Sequence, residues 1–230
     1  MYNEAKIIED TAKTLHQYMS ENFTDYEILF ADDGSTDGSS ALVEDLRLPN
    51  VRIVGYEKNY GKGCAVRTAM LAAGGDVVMF TDSDLAYGTD VIGRVAREFE
   101  KDPSVDIVVG SRNLSADGYE GYTFLRKLAS KIYLRVLCLV GGLKLSDSQC
   151  GCKAFRGEAA KRIFSHCVTD GFSFDFEAIM IATKYGMRFA ELPVKVVNHR
   201  DSKINLFADA LRMLRELLRI KKRVRSLELE

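Results

Sequence analysis

The sequence has 230 residues, 47% hydrophobic and 28% charged, with a formal net charge of −1. That length and apolar content suit one sizeable α/β domain; the near-neutral charge offers nucleic acid no footing, and no apolar run reaches the ~18 residues that cross a bilayer. The five cysteines (Cys64, Cys138, Cys150, Cys152, Cys167) are odd in number and scattered, and Cys150-Gly-Cys152 lacks a second Cys or His pair, so they read as reduced thiols of a cytosolic protein rather than as a zinc site.

The polar start, Met-Tyr-Asn-Glu-Ala-Lys, does not read as a secretory leader. Ile7, Ile8, Ala12, Leu15 and Met19 recur at helical spacing and predict a helix from Glu4 to about Ser20. Tyr26 to Ala31 reads as a strand that runs into Asp32-Asp33-Gly34-Ser35-Thr36-Asp37-Gly38-Ser39. That acidic loop fits a turn and a helix start, with Ser, Thr or Asp as caps, though two adjacent aspartates exceed what capping requires. A helix to about Leu46 and a strand over Val51–Tyr56 follow.

Asn59-Tyr-Gly61-Lys62-Gly63 then leads into an Ala-rich helix ending near Ala73. Glycine beside lysine at a helix N-terminus can cradle phosphate through backbone amides and the positive end of the helix dipole; a plain glycine turn fits equally well. The spacing is not that of a P-loop.

Val77 to Phe80 is a short apolar run, as in a strand buried on both faces. Asp82 and Asp84 follow it on one side of the chain, about 7 Å apart along the backbone. Open α/β sheets bind ligands at this end of their strands. A divalent cation, Mg²⁺ or Mn²⁺, best relieves the repulsion of two such carboxylates and takes substrate phosphates as further ligands. Alone, Asp-Ser-Asp also fits a solvated turn.

Residues 89–101 predict a helix, and Val105–Gly110 a strand ending in Ser111-Arg112, where an Arg can grip phosphate with its planar fork. The alternation of strand and helix argues for a mostly parallel sheet flanked by helices. In the second half, residues 123–140 form an amphipathic helix with Arg126, Lys127, Lys131 and Arg135 off the apolar stripe. Core packing and a membrane-surface helix both suit it. Ser146 to Lys153 reads as a working loop, Phe172 to Glu177 opens a helix, Arg188 to Val197 is a strand, and Ile204 to about Arg225 is a final, basic-ended helix.

These motifs, in order, resemble the family 2 glycosyltransferases of GT-A fold, and within them the polyprenyl- or dolichyl-phosphate mannosyl- and glucosyltransferases. The likeness is carried by Tyr-Asn-Glu, Ala-Asp-Asp-Gly-Ser-Thr-Asp-Gly, Asn-Tyr-Gly-Lys-Gly, Thr-Asp-Ser-Asp-Leu, Gly-Ser-Arg, Asp-Ser-Gln-Cys-Gly-Cys-Lys, Phe-Asp-Phe-Glu and Leu-Pro-Val. It spans residues 2 to about 205 and implies a single domain over 1–225. Within it, a nucleotide-sugar half ends near 115, an acceptor half covers 116–205, a basic helix covers 204–225, and a tail covers 226–230. Tyr2, Glu4, the Ala31 backbone and Asp33 would hold the nucleotide of a nucleotide-diphospho-sugar. Lys62, Asp82, Ser83 and Asp84 would meet the donor's diphosphate and sugar, with Asp82 and Asp84 on the metal. Arg112 and Lys203 would bind phosphates, and Asp147, Gln149 and Glu177 would line the acceptor side.

A dianionic lipid phosphate needs no general base, only cations that bring two anions together; a glycan hydroxyl would need one, and Asp147 is then the candidate. Asp84, Asp147 and Arg112 are therefore the expected catalytic residues. The resemblance further implies inversion of configuration and a peripheral place at the cytoplasmic membrane face, or a membrane-anchored partner. Two departures bear on the outcome. Relatives carry a strand before Tyr-Asn-Glu, without which two strand edges would stand unpaired. Relatives also often have a Gln where this chain has Ala86. A glycan-directed transferase, an inactive nucleotide-sugar-binding subunit and a nucleotidyltransferase remain the other readings.

Overall fold

The computed structural model describes residues 1–118, 124–197 and 206–228. The chain opens with α1 (Ile8–Asn22), β1 (Ile28–Asp33), α2 (Ser39–Asp45), β2 (Val51–Tyr56), α3 (Lys62–Ala72), β3 (Val77–Phe80), α4 (Asp90–Lys101) and β4 (Ile107–Ser111). A short 3-10 turn (Arg112–Leu114) leads on to α5 (Phe124–Gly141), β5 (Lys153–Arg156), α6 (Gly157–Phe164), α7 (Phe174–Lys184), β6 (Phe189–Pro193) and α8 (Leu206–Ser226). The expected alternation of strand and helix is present.

The strands form two sheets, β1 with β2 in parallel and a second ordered β3-β5-β4-β6. β4 and β6 run parallel, whereas β5 lies between β3 and β4 and is antiparallel to both. The sheet is thus mostly parallel, as expected, with β5 running against its neighbours. β5 enters from the 146–152 loop at the end where β3 and β4 finish, so it must run back against them. β1 and β3 each keep one edge without a strand partner among the described residues. Met1 stands on the β1 edge: its ammonium donates to the Ala31 carbonyl at 2.5 Å and its carbonyl accepts from the Asp33 amide at 3.0 Å.

Side chains from β3, β4 and β5 (Val78, Ile107, Val109, Phe155) meet α6, α7 and α8 (Ile163, Phe164, Ile179, Ile181, Leu217, Val224) in the largest apolar cluster. Each such side chain contributes roughly 1.5–3 kcal/mol by leaving water. A second cluster joins Val91, Val95 and Phe99 of α4 to the opposite face of β4 and β5, and a third packs Ile8 and Ala12 on Ile28, Phe30 and Val43. The central strands are thus covered on both faces, and their ends carry the loops.

Some boundaries shift for identifiable reasons. α1 starts at Ile8 and not Glu4, because Asn3 adopts φ 54° and the Glu4 carbonyl accepts from Ile7 and Ile8 in a turn. β6 ends at Pro193, where β4 runs out; Val197 donates instead to the Ala86 carbonyl at 2.7 Å. Ser226 closes α8 and is not the start of a tail, and Lys184 Nζ caps the helix by donating to the carbonyls of Val224 (2.8 Å), Arg225 (2.9 Å) and Leu227 (2.5 Å). No described helix is long and apolar enough to cross a membrane.

Candidate active site

The loops after β3 and β4 meet the 146–152 loop. The Tyr2–Ala5 segment is laced to the loop after β1: Asn3 donates to Ser35 Oγ, Glu4 to Ser39 Oγ and Ala5 to Asp37 Oδ2, each at 2.9–3.0 Å. Tyr2 is exposed. The Ala31 carbonyl, expected to face the nucleotide, receives the Met1 ammonium.

Asp33 is buried and held by its own chain. Its Oδ1 accepts from the Tyr56 hydroxyl at 2.8 Å and the Tyr60 amide at 3.0 Å; its Oδ2 accepts from Asn59 Nδ2 at 2.9 Å and the Gly61 amide at 3.0 Å. Burial, then hydrogen bonds to Cys64 and Asp33, hold the Tyr56 phenol above its ordinary range, so it remains a donor. In this structure Asp33 works as the clamp of the 56–61 turn.

The glycines around Lys62 also have a packing role. The Gly63 and Cys64 amides donate to the Asp170 carbonyl at 2.7 and 3.3 Å, and the Gly61 amide goes to Asp33. A Cβ on Gly61 would lie 2.5 Å from the Asp170 oxygen. The Gly61, Gly63 and Cys64 amides are thus engaged within the chain, as in a plain glycine turn. Lys62 itself points elsewhere: its Nζ donates to Asp82 Oδ1 at 2.5 Å, both side chains about one-third exposed.

Past β3 the chain makes successive tight turns. The Leu85 amide donates to the Asp82 carbonyl, the Ala86 amide to Asp84 Oδ1 at 3.1 Å, and Gly88 to the Leu85 carbonyl. Leu85 is held at φ 49°, a left-handed backbone that costs a non-glycine residue of order 1 kcal/mol and concentrates at working sites. Ala86 therefore supports Asp84 through its amide, a contribution invisible to side-chain matching. Thr11 of α1 donates to the Ser83 carbonyl at 2.8 Å, and Gly151 packs so tightly on the Asp82 carboxylate that a Cβ there would collide with it. Gly151 also donates to the Tyr87 hydroxyl at 3.1 Å. The 146–152 loop is in this way locked to the Asp-Ser-Asp turn.

On the other side of that loop, Arg112 grips buried Asp147 with Nε to Oδ2 at 2.7 Å and Nη2 to Oδ1 at 3.0 Å, and the Arg112 and Gln149 amides add 3.2 Å bonds. Burial opposes the Arg112 charge; the Asp147 pairing outweighs it and raises the pKa, so the guanidinium is permanently charged. Ser146 is tied to Glu191 through its amide (2.8 Å) and hydroxyl (2.6 Å). Cys150 is buried near Asp147 and Arg112, and burial pushes its thiol up to about 11, so it is neutral at pH 7.

Glu177 does not line this cleft. It is buried at the base of α7, accepting from the Val168 and Thr169 amides (2.9 and 2.8 Å) and from Arg223 Nη1 (3.0 Å), which fastens α8 to the body. Lys203 lies outside the described residues. Sequence reasoning missed Lys153, whose Nζ meets Asp175 Oδ1 at 2.8 Å in full burial, and Tyr87. The first had a faint signal: a lone Lys opening an apolar strand opposite an Asp framed by two Phe.

Among the described residues no group of three or more His, Cys, Asp or Glu side chains forms a metal cage. Mg²⁺ and Mn²⁺ bound with a diphosphate require only one or two carboxylates. The Asp82–Asp84 turn meets that requirement and no more.

Residues 1–164 match the family model described as glycosyl transferase family 2. The chain is 32% identical over 232 residues to a dolichyl-phosphate beta-glucosyltransferase of Trichomonas vaginalis, covering 95% of this chain and 70% of the relative. A dolichyl-phosphate beta-glucosyltransferase of Dictyostelium discoideum is 31% identical, covering 96% and 71%. Among solved structures, glucosyl-3-phosphoglycerate synthase of Mycobacterium tuberculosis with Mn²⁺, UDP and phosphoglyceric acid superposes with a TM-score of 0.73 at 18% identity, over 99% of this chain and 77% of that one. That likeness establishes the GT-A fold.

Proposed function

The chain belongs to glycosyl transferase family 2 and is a glycosyltransferase; from that premise we propose that it moves glucose from UDP-glucose to a polyprenyl phosphate, with inversion and with Mg²⁺ or Mn²⁺. The observation that carries this reading is the Arg112–Asp147 fork. It presents an oriented guanidinium beside the donor turn and leaves Asp147 engaged, not poised as a base. A phosphate nucleophile that is largely dianionic at neutral pH calls for that arrangement; a glycan hydroxyl calls for a free carboxylate. The relatives' names favour a dolichyl-type acceptor and glucose, and the matched structures with UDP favour UDP over GDP.

In this reading Asp84, with Asp82, holds the cation. When bound, it would neutralise the charge that develops on the leaving diphosphate. Tyr2 and Glu4 border the nucleotide, Ser83 and Lys62 face the donor, and Arg112, with Lys203, draws in the acceptor phosphate. Asp33 serves the nucleotide end by fixing the 56–61 turn, and the single domain spans 1–225. The lipid acceptor places the protein at a membrane face, where the exposed Lys222 and Arg225 of α8 would meet anionic headgroups.

Titration calorimetry with UDP-glucose and GDP-mannose, each with Mn²⁺, tests this. The expected result is UDP-glucose binding that needs Mn²⁺ and is lost in Asp84→Ala. Binding unaffected by that substitution would overturn the donor assignment.

A further inference from the structure

The N-termini of α3 and α7 touch, and five charged side chains gather around that contact. A Cβ on Gly63 would stand 2.7 Å from the Phe174 Cβ. Lys62 and Asp175 are the next residues in the two helices, so the contact brings them to one junction. Lys62 Nζ sits on Asp82 Oδ1 at 2.5 Å. Lys153 Nζ, wholly buried, donates to Asp175 Oδ1 at 2.8 Å and to the Cys150 carbonyl at 2.6 Å, and lies 5.6 Å over the Phe80 ring. Lys153 is paired across the ladder with Phe80, two residues before Asp82. Charges therefore alternate along a line into the cleft: Lys153, Asp175, Lys62, Asp82, with Asp84 beyond. Burial works against the Lys62 charge, and Asp82, Asp175 and Asp84 together outweigh it.

We propose that Lys62 is an internal cation with two seats: Asp82 when no divalent cation is bound, and Asp175 together with the donor's diphosphate when one is. It competes with the metal for Asp82 and is handed on as the donor arrives. A carboxylate already neutralised by an ammonium at 2.5 Å is a poorer ligand for a hard cation. Asp175 supplies what makes the exchange possible, a second carboxylate at the same junction, which Lys153 holds in place from the buried side. Asp82 and Lys62 thus form a latch, and Asp175 is a positioning residue. This inference rests on the reading that a cation and a diphosphate meet at Asp82 and Asp84.

The test is Mn²⁺ uptake read from the electron paramagnetic resonance of the free ion, with and without UDP, on full-length protein. Lys62→Met, with Lys62→Gln as a second variant, should bind Mn²⁺ alone about fivefold more tightly than wild type, the worth of a partly exposed ion pair. With UDP present the advantage should vanish, since the ammonium no longer meets the diphosphate. Lys153→Met/Asp175→Leu, which removes both buried charges together and so keeps the fold, should bind Mn²⁺ alone more weakly than wild type. A merely structural role for Lys62 would leave Mn²⁺ uptake unchanged, and that result overturns the proposal while the donor reading stands. Wild-type protein that takes up no Mn²⁺ even with UDP overturns both.

Discussion

Arg112 and Asp147 form a two-pronged pair, 2.7 and 3.0 Å, in which the carboxylate is 2% exposed and the guanidinium 13%. Residues read from sequence as two separate catalytic groups are one unit, with Asp147 aiming Arg112. Asp147→Asn should therefore raise the KM for a polyprenyl phosphate about tenfold and leave the shape of the pH–rate profile unchanged. Were Asp147 the base for a hydroxyl acceptor, kcat would fall about 10²–10⁴-fold and one limb of the profile would disappear. Arg112→Lys should behave like Asp147→Asn, because an ammonium cannot make the fork.

Asp33 gathers four donors, and its loss should register as stability. Asp33→Ala leaves the Tyr56 hydroxyl, Asn59 amide, Tyr60 N–H and Gly61 N–H without their acceptor, at a cost of about 2–4 kcal/mol; Tyr56→Phe, which removes one hydrogen bond, costs about 1 kcal/mol. Urea midpoints of the two variants check this order.

Gly63→Ala tests the packing role of the glycine turn. The added methyl would meet the Phe174 Cβ at 2.7 Å, and forcing the two helix ends apart should cost about 1–3 kcal/mol. A phosphate cradle would predict lost UDP affinity at unchanged stability, which thermal unfolding and calorimetry separate.

The Lys153–Asp175 pair gives a pH signature. Asp175→Leu leaves the buried Lys153 ammonium with no side-chain acceptor at all and should cost about 3–5 kcal/mol at neutral pH. Burial raises the Asp175 carboxyl above its ordinary 3.8, although Lys153 and Lys62 pull the other way. The folded chain then holds that proton more readily than the unfolded chain. Its contribution to stability accordingly grows as pH falls from neutral through the raised value, opposite to a salt-bridged carboxylate of lowered pKa. Comparing denaturant midpoints of wild type and Asp175→Asn along a pH series descending from neutral should show wild type gaining on the variant as Asp175 takes up its proton.

The strand before Asp82, the alternation of elements and the order of motifs were legible because an apolar run of four residues and helical periodicity are local signals. β5 was not legible as an antiparallel insertion, since Lys-Ala-Phe-Arg carries no mark of direction. The destinations of Asp33 and Gly63 were hidden for another reason. A carboxylate that clamps its own loop and one that awaits a ligand look alike until partners such as Tyr56 and Asn59, more than twenty residues away, are placed. Glu177 was misjudged on the same ground, because its partner Arg223 is 46 residues distant.

The most direct test of the whole account is transfer of radiolabelled glucose from UDP-glucose, with Mn²⁺, to a polyprenyl phosphate in detergent, read by extraction into organic solvent. Label should enter the organic phase with wild type, fall sharply with Arg112→Lys, and vanish with Asp84→Ala. Label that stays with UDP-glucose, or that passes only to a water-soluble glycan, would contradict it.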